Sequence, residues 1–385
     1  MLSRRAFIGG SATSLALGMA PALSHAQLYG PAPGIAKLNA NENPYGPSPA
    51  ALDAMAEATA NGAFYVSGSV KRLEDMISER FGLGVENITL SAGSSGALTN
   101  LARAKAEHGH ILGPDLFWDT TTRLALRQGG ELVRTPKTVD LGIDLDALYA
   151  AITPETSMVQ ICNPNNPTGM LLDPVKLRAF CIKASKQCTV LIDEAYNEIT
   201  DVPETNSMAG LVREGHDVVV ARTFSKVYGL AGMRVGYLLA SEATTEQVKR
   251  YSLGNYMLNQ AGVAAAVASM NDQAFVDFSR ARIHESREMI VEAATTHELS
   301  AAPSQTSFVF VNLGNVNAEL FRQEMAKRNV LIRGIYQDYT GWSRVSAGKL
   351  EHVAQYVKAM PDALDAASRR AVTARPNAGA AVAAG

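Results

Sequence analysis

The stretch Val218-Val219-Val220-Ala221-Arg222-Thr223-Phe224-Ser225-Lys226-Val227-Tyr228-Gly229-Leu230-Ala231-Gly232-Met233-Arg234-Val235-Gly236 decides the fold class. An apolar run of strand length gives way to hydroxyls, a lysine and a glycine-rich turn, and a second apolar run follows at 235–240. Working outward, the same kind of run recurs at 88–90, 110–113, 131–135, 158–162 and 189–193. Longer amphipathic stretches lie between them, with helices expected at 95–107, 174–186 and 260–270. This alternation predicts an α/β domain on a mainly parallel, seven-stranded sheet. Active sites in such sheets lie at the carboxyl ends of the strands, and the polar segments of this chain sit just after the apolar runs.

A long helical pattern covers 272–297. Beyond it, 307–313, 318–327, 330–333 and 350–367 read as a second, smaller α+β unit. The expected organisation is an N-terminal segment over 27–60 packing with the small domain, a large domain over 61–270 and a small domain over 271–369. A disordered tail rich in Ala, Gly and Pro is expected over 370–385. The chain's 385 residues are ample for two domains. Its 47% hydrophobic and 19% charged content is globular. With a net charge of −2 and no basic stripe, nothing calls for nucleic acid.

The first residues read separately. Ser3-Arg4-Arg5-Ala6-Phe7-Ile8 sets paired arginines before an apolar stretch diluted by Gly9, Gly10 and Gly18, and Ser24-His25-Ala26 offers small residues before a cut. That is the layout of a twin-arginine signal peptide over 1–26, with an ordinary secretory signal or an uncleaved anchor as the alternatives. The expected location is periplasmic or secreted, or cytoplasmic if the signal does not function. The stretch is too short and diluted for a lasting membrane span, and no other segment is long and apolar enough. Three cysteines follow. Cys162 ends an apolar run and reads as a small buried side chain, a Cys181–Cys188 disulfide is a minor alternative, and the spacing matches no metal site.

Four segments carry chemistry. In Thr223-Phe224-Ser225-Lys226 with Gly229–Gly236, a lysine amine can condense with an aldehyde cofactor, and Thr223, Ser225 and Arg234 suit a phosphate. A solvated loop lysine is the plain alternative. In Leu191-Ile192-Asp193-Glu194-Ala195-Tyr196, a strand-end carboxylate can keep a pyridine nitrogen protonated, and Tyr196 can bond a phenolic oxygen. A turn-capping aspartate would look the same. In Asn163-Pro164-Asn165-Asn166-Pro167-Thr168-Gly169, the prolines fix a loop that presents Asn166, although composition alone says only a turn. Finally, Ser91-Ala92-Gly93-Ser94-Ser95-Gly96 joins a strand to a helix whose N-terminal N–H groups suit phosphate. It lacks the glycine pattern of a dinucleotide site.

Together these segments resemble the class I/II aminotransferases of the aspartate-aminotransferase fold, pyridoxal-phosphate fold type I. Leu38-Asn39-Ala40-Asn41-Glu42-Asn43-Pro44-Tyr45-Gly46-Pro47 and the Arg222–Lys226 segment are similar to the histidinol-phosphate aminotransferase branch. The likeness runs from about residue 37 to 356. It implies pyridoxal 5'-phosphate held by Lys226 as a Schiff base, with Lys226 also moving the proton. It implies Asp193 at the ring nitrogen and Asn166 and Tyr196 at O3′. The phosphate would fall to Ser94, Ser95, Thr223, Ser225 and Arg234, and to Tyr65 reaching across a homodimer with shared sites. Arg344 would grip the substrate carboxylate, with Asn41 also at the substrate. The aromatic over the cofactor falls in Leu116-Phe117-Trp118, where Trp118 is preferred to Phe117. Ser95 stands where that branch usually carries an acid. The implied reaction moves an amino group between an amino acid, or a histidinol-phosphate-like amine, and a 2-oxo acid in two half-reactions. A decarboxylase or racemase on the same fold, or a non-catalytic cofactor-binding protein, are the alternatives.

Overall fold

Alternate residues of the central strands pack into opposite cores, which is why these segments read as nearly unbroken apolar runs. Val190, Ile192, Val218 and Val220 enter one cluster, and Leu191, Val219 and Ala221 enter the other. Residues 30–373 are described by a computed structural model. The expected signal segment and the tail beyond 373 lie outside the described residues.

The strands are β1 (Ala36–Leu38), β2 (Ile88–Ser91), β3 (His110–Pro114), β4 (Leu132–Thr135), β5 (Thr156–Cys162), β6 (Thr189–Asp193), β7 (Val218–Thr223), β8 (Gly236–Leu239), β9 (Ser300–Ala301), β10 (Phe308–Asn312), β11 (Val330–Ile332) and β12 (Trp342–Ser346). Seven of them form the main sheet in the order β2-β8-β7-β6-β5-β3-β4. The pairings β7–β6, β6–β5, β5–β3 and β3–β4 are parallel, while β8 runs antiparallel to both of its neighbours. The helix Ser94–Ala106 covers one face through Ala97, Leu98, Leu101 and Ala102. The helix Pro174–Ala184 covers the other through Leu177, Phe180, Cys181 and Ala184.

The second unit holds β10 between β12 and β9, all antiparallel. Its core joins Val309, Val311, Phe321, Val345 and Tyr356. β1 pairs in parallel with β11, so the first strand among the described residues belongs to this unit.

Three expected boundaries are corrected. The helix Pro49–Thr59 packs on the large domain beside Gln260–Met270, and Asn43 already donates to Val227 O, so it is the strand Ala36–Leu38 of the N-terminal segment that joins the small domain. The helix Gln273–Thr296 belongs to both domains: Val276 and Ile283 lie in the large core, and Ile290, Ala293 and Ala294 in the small one. The last helix, Leu350–Thr373, continues past residue 370, where a tail was expected. Ala363 and Ala367 bury its inner face, and Arg370 Nη1 lies 2.9 Å from Glu324 Oε1. Cys162, Cys181 and Cys188 are buried free thiols, so the alternative disulfide is absent. No helix among the described residues is long and apolar enough to cross a membrane.

Between β6 and β7 the sheet carries a buried ionic clamp. Arg222 Nη2 lies 2.6 Å from Glu194 Oε2, and Arg222 Nη1 lies 2.7 Å from Glu198 Oε1. Glu194 also accepts from Met208 N at 2.6 Å and Ser207 Oγ at 3.0 Å. Replacing Arg222 by Leu leaves two buried carboxylates without a cation. It is expected to cost about 3–5 kcal/mol of stability, read from the urea midpoint; an unmoved midpoint would remove the clamp from the account.

Candidate active site

The two faces of the sheet decide where each strand-end group points. Asp193 and Thr223 continue the alternation of Leu191, Val219 and Ala221, and so face the side covered by the helix Ser94–Ala106. Glu194 and Arg222 point the other way, into the clamp. At that end of the sheet a cleft of about 360 Å³ is lined by Asn41, Ser94, Ser95, Trp118, Asn166, Asp193, Tyr196, Thr223, Ser225, Lys226, Arg234 and Arg344. Twelve of the thirteen residues singled out in the sequence thus share one cavity. A larger hollow of about 730 Å³ lies beside the helices Leu145–Ala150 and Pro174–Ala184, but its lysines, Lys176 and Lys183, are exposed side chains at its wall. Size alone does not mark the site.

Asn41 knits the cleft together. Lys226 Nζ donates to Asn41 O at 2.9 Å, Asn41 Nδ2 donates to Tyr196 Oη at 2.8 Å, and Ser346 Oγ donates to Asn41 Oδ1 at 2.8 Å. Asn166 Nδ2 approaches the same Tyr196 oxygen at 3.4 Å, and Arg344 Nη1 donates to Asn166 Oδ1 at 2.7 Å. Arg344 comes from β12, so both domains and the N-terminal segment meet here. Its guanidinium lies 5.3 Å from the Phe308 ring centre, and Phe308 in turn meets Tyr196 edge to face at 5.2 Å.

The electrostatics follow from desolvation. Enclosure in the cleft pushes the Lys226 amine down to about 8, with Arg344 adding to the effect and Asp193 opposing it. Asp193 is 3% exposed. Burial pushes its carboxyl up to about 6, against the N–H of Ala195, which it accepts at 3.2 Å, and against Lys226. Burial likewise raises the Tyr196 phenol and lowers Arg344.

A second cluster gathers around Arg234. Its backbone is left-handed, at φ 57°, an uncommon conformation for a side-chain-bearing residue and a form of strain that collects at functional sites. Arg234 Nη2 donates to Ser95 Oγ at 3.0 Å and Nη1 to Ser225 Oγ at 3.3 Å, while Thr223 Oγ1 donates to Ser225 Oγ at 2.9 Å. Ser94 begins a helix whose N-cap is Gly93, so no side chain covers its first N–H groups. Gly93 holds φ 69° and ψ 162°, a backbone that side-chain-bearing residues rarely adopt, and a Cβ there would stand 2.1 Å from Arg234 Nη2 and push the guanidinium off the helix start.

Trp118 lines the cleft, whereas Phe117 is buried beneath Gly113 and Arg134. Tyr65 stands apart. It is 80% exposed and meets Tyr256 edge to face at 5.1 Å. The sequence reading did not single out Arg333, Asn39 or Glu42 as site residues, and all three line the cleft. Arg333 had a signal: it ends the apolar run 330–332, as Asp193 and Thr223 end theirs.

A buried carboxylate, a desolvated lysine and a hydroxyl–arginine cradle at a helix start make up the geometry, and comparison with known proteins names it. The aminotransferase class I and II profile matches residues 33–360. The chain belongs to that family. It is 32% identical to a histidinol-phosphate aminotransferase of Moorella thermoacetica over 86% of each chain. It is 35% identical to histidinol-phosphate aminotransferase 1 of Dechloromonas aromatica, over 86% of this chain and 90% of that one. The structure of histidinol-phosphate aminotransferase from Sinorhizobium meliloti in complex with pyridoxal-5'-phosphate superposes with a TM-score of 0.79 at 28% identity, covering 86% and 91% of the two chains. An aspartate aminotransferase of Thermus thermophilus with maleate shares the fold, with a TM-score of 0.73 at 21% identity and coverage of 87% and 91%. This aminotransferase is therefore a fold type I enzyme that uses pyridoxal 5'-phosphate to catalyse transamination. The decarboxylase, racemase and non-catalytic readings are not favoured.

The residues fit that cofactor. Asp193 is a buried carboxylate without a bonded cation, which a protonated ring nitrogen would supply. The open helix start with Ser95, Ser225, Thr223 and Arg234 suits a phosphate. Arg344 Nε is buried and without a partner, as suits a guanidinium that still has an anion to receive.

Proposed function

We propose that Lys226 holds the cofactor and moves the substrate proton, and that the cleft serves amines carrying an anionic group. The observation that carries this is the placement of a desolvated amine, a buried carboxylate and a buried guanidinium in one cavity. Pyridoxal phosphate, when bound, supplies an electron sink for the charge left when the substrate's α-proton departs. Asp193 keeps the ring nitrogen protonated. Tyr196 and Asn166 bond O3′, and Ser94, Ser95, Thr223, Ser225 and Arg234 receive the phosphate. Trp118 offers the ring an aromatic face. Arg344 binds the substrate's carboxylate, assisted by Asn41 and Asn166. Burial pushes the Lys226 amine down to about 8, so it gives up its proton far more readily than an exposed lysine and can accept the α-proton and return it elsewhere on the same molecule.

The second guanidinium, Arg333, supports substrates with two anionic groups or a phosphate. That agrees with relatives named for histidinol phosphate.

These readings meet one experiment. Cofactor capture by apoprotein, which needs the neutral amine, is expected to rise with pH through about 8. Lys226→Ala is expected to abolish covalent capture, with borohydride reduction and peptide mapping placing the wild-type cofactor on Lys226. The loaded enzyme is then offered histidinol phosphate and single amino acids while the visible absorbance is followed. Cofactor trapped on another lysine, or no response to any amine, would end the proposal.

We also propose a homodimer with shared sites, and a different observation supports it. Phe64, Tyr65, Leu253, Tyr256 and Met257 are large exposed apolar or aromatic side chains, and Tyr65 packs on Tyr256. In a dimer through this face, Tyr65 reaches the partner's phosphate. Tyr65→Phe is expected to weaken cofactor binding roughly tenfold or more with unchanged melting temperature. A monomer by sedimentation would refute the dimer.

Export through a twin-arginine signal over 1–26 rests on Arg4 and Arg5. Changing both to lysine is expected to retain the protein inside the cell. Undiminished periplasmic yield would point to an ordinary secretory signal.

A further inference from the structure

Asp115 follows the end of β3, in the turn that leads to Trp118. Arg134 fixes that turn from the large domain: its Nη1 donates to Asp115 O at 2.6 Å, and its Nη2 pairs with Asp119. Across from it, the turn between β11 and β12 brings Tyr339 out of the small domain. Tyr339 Oη donates to Asp115 Oδ2 at 2.6 Å. Lys137 Nζ reaches the same oxygen at 3.3 Å and lies 5.1 Å from the Tyr339 ring centre.

Beneath this contact is an apolar cluster drawn from both domains. Leu116 and Leu141 come from the large one; Ala302, Phe310 and Tyr336 come from the small one. Trp342 stacks on Phe310 at 4.9 Å. Tyr336 is tied to Tyr339 by a backbone bridge. Its ring lies 6.0 Å from the Arg344 guanidinium and 5.8 Å from that of Arg333. Arg333 N also donates to Arg344 O at 3.1 Å. Tyr336 is thus the side chain through which the Tyr339 turn adjoins both cleft arginines.

We propose that the Tyr339–Asp115 bond is a latch between the two domains, and that Tyr339 and Asp115 are positioning residues that set the cleft's affinity for anionic substrates. The inference rests on the reading of Arg344 as the carboxylate ligand. A single bond to a charged acceptor, half-exposed at the rim, can open and close during turnover, whereas the apolar cluster beneath keeps the two surfaces in register. Neither residue lines the cleft, so their effect passes through Tyr336 to Arg333 and Arg344.

The chain's two tryptophans, Trp118 and Trp342, flank this junction, so fluorescence reports on it directly. The holoenzyme is titrated with succinate, an unreactive dicarboxylate. Tyr339→Phe is expected to raise the succinate dissociation constant roughly tenfold, the order of one charge-assisted bond. Asp115→Asn keeps an acceptor oxygen and is expected to give a smaller rise. Cofactor content and visible absorbance stay as in the wild type. In steady state, KM for the amino donor rises while kcat is largely held, the signature of altered ground-state binding. Arg344→Lys is measured alongside. If it weakens succinate and Tyr339→Phe does not, the latch is overturned and the reading of Arg344 stands. If Tyr339→Phe lowers only the melting temperature, the contact is structural and the latch is again overturned. If Arg344→Lys leaves succinate binding intact, the reading of Arg344 falls and takes the latch with it.

Discussion

Two successive carboxylates, Asp193 and Glu194, emerge at the end of one buried strand, and a strand must send them to opposite faces. Both are deeply buried, so both need compensation. Glu194 finds it within the protein, in Arg222, which also answers Glu198. Asp193 accepts one backbone N–H and keeps its charge demand facing the cleft. The chain thus satisfies one carboxylate internally and reserves the other for a bound cation. A buried ion pair adds little net stability by itself. Its work here is to fix the segment that carries Asp193 and Tyr196.

The same division of faces organises the rest of the site. Thr223 shares the face of Asp193 and meets Ser225 and Arg234 at the start of the helix Ser94–Ala106. The glycine at position 93 is required by its backbone, at φ 69° and ψ 162°, and a side chain there would also push the Arg234 guanidinium aside. The left-handed turn at Arg234 is the complementary cost on the other side of that contact. Backbone strain and a missing side chain together leave the helix start open.

The site is also a junction. Asn41, from the segment after β1, bonds Lys226 and Tyr196 of the large domain and Ser346 of the small one. Arg344 crosses in the same sense to Asn166. Any relative motion of the domains is therefore felt at the reacting groups, and a rim contact such as Tyr339–Asp115 can bear on binding without entering the cleft.

Local chemistry settled much of this in advance. Runs such as 189–193 and 218–222 are strands because nearly every side chain is apolar, and the polar groups that follow them must fall at one end of the sheet. Asp193, Lys226 and Arg234 were legible for that reason, and Trp118 was preferred to Phe117 on position alone. What the sequence could not decide depends on contacts between distant segments. β12 escaped notice because Trp342-Ser343-Arg344-Val345-Ser346 has too few apolar residues to announce a strand; β10 completes it. Helix Pro49–Thr59 joined the large domain because its partner, Gln260–Met270, lies two hundred residues away. Arg333 gained its place beside Arg344 only when β11 and β12 came together. Local pattern fixes which groups end a strand, because side-chain direction alternates along the backbone. Which of those ends meet is set by long-range packing, and only the folded chain determines that.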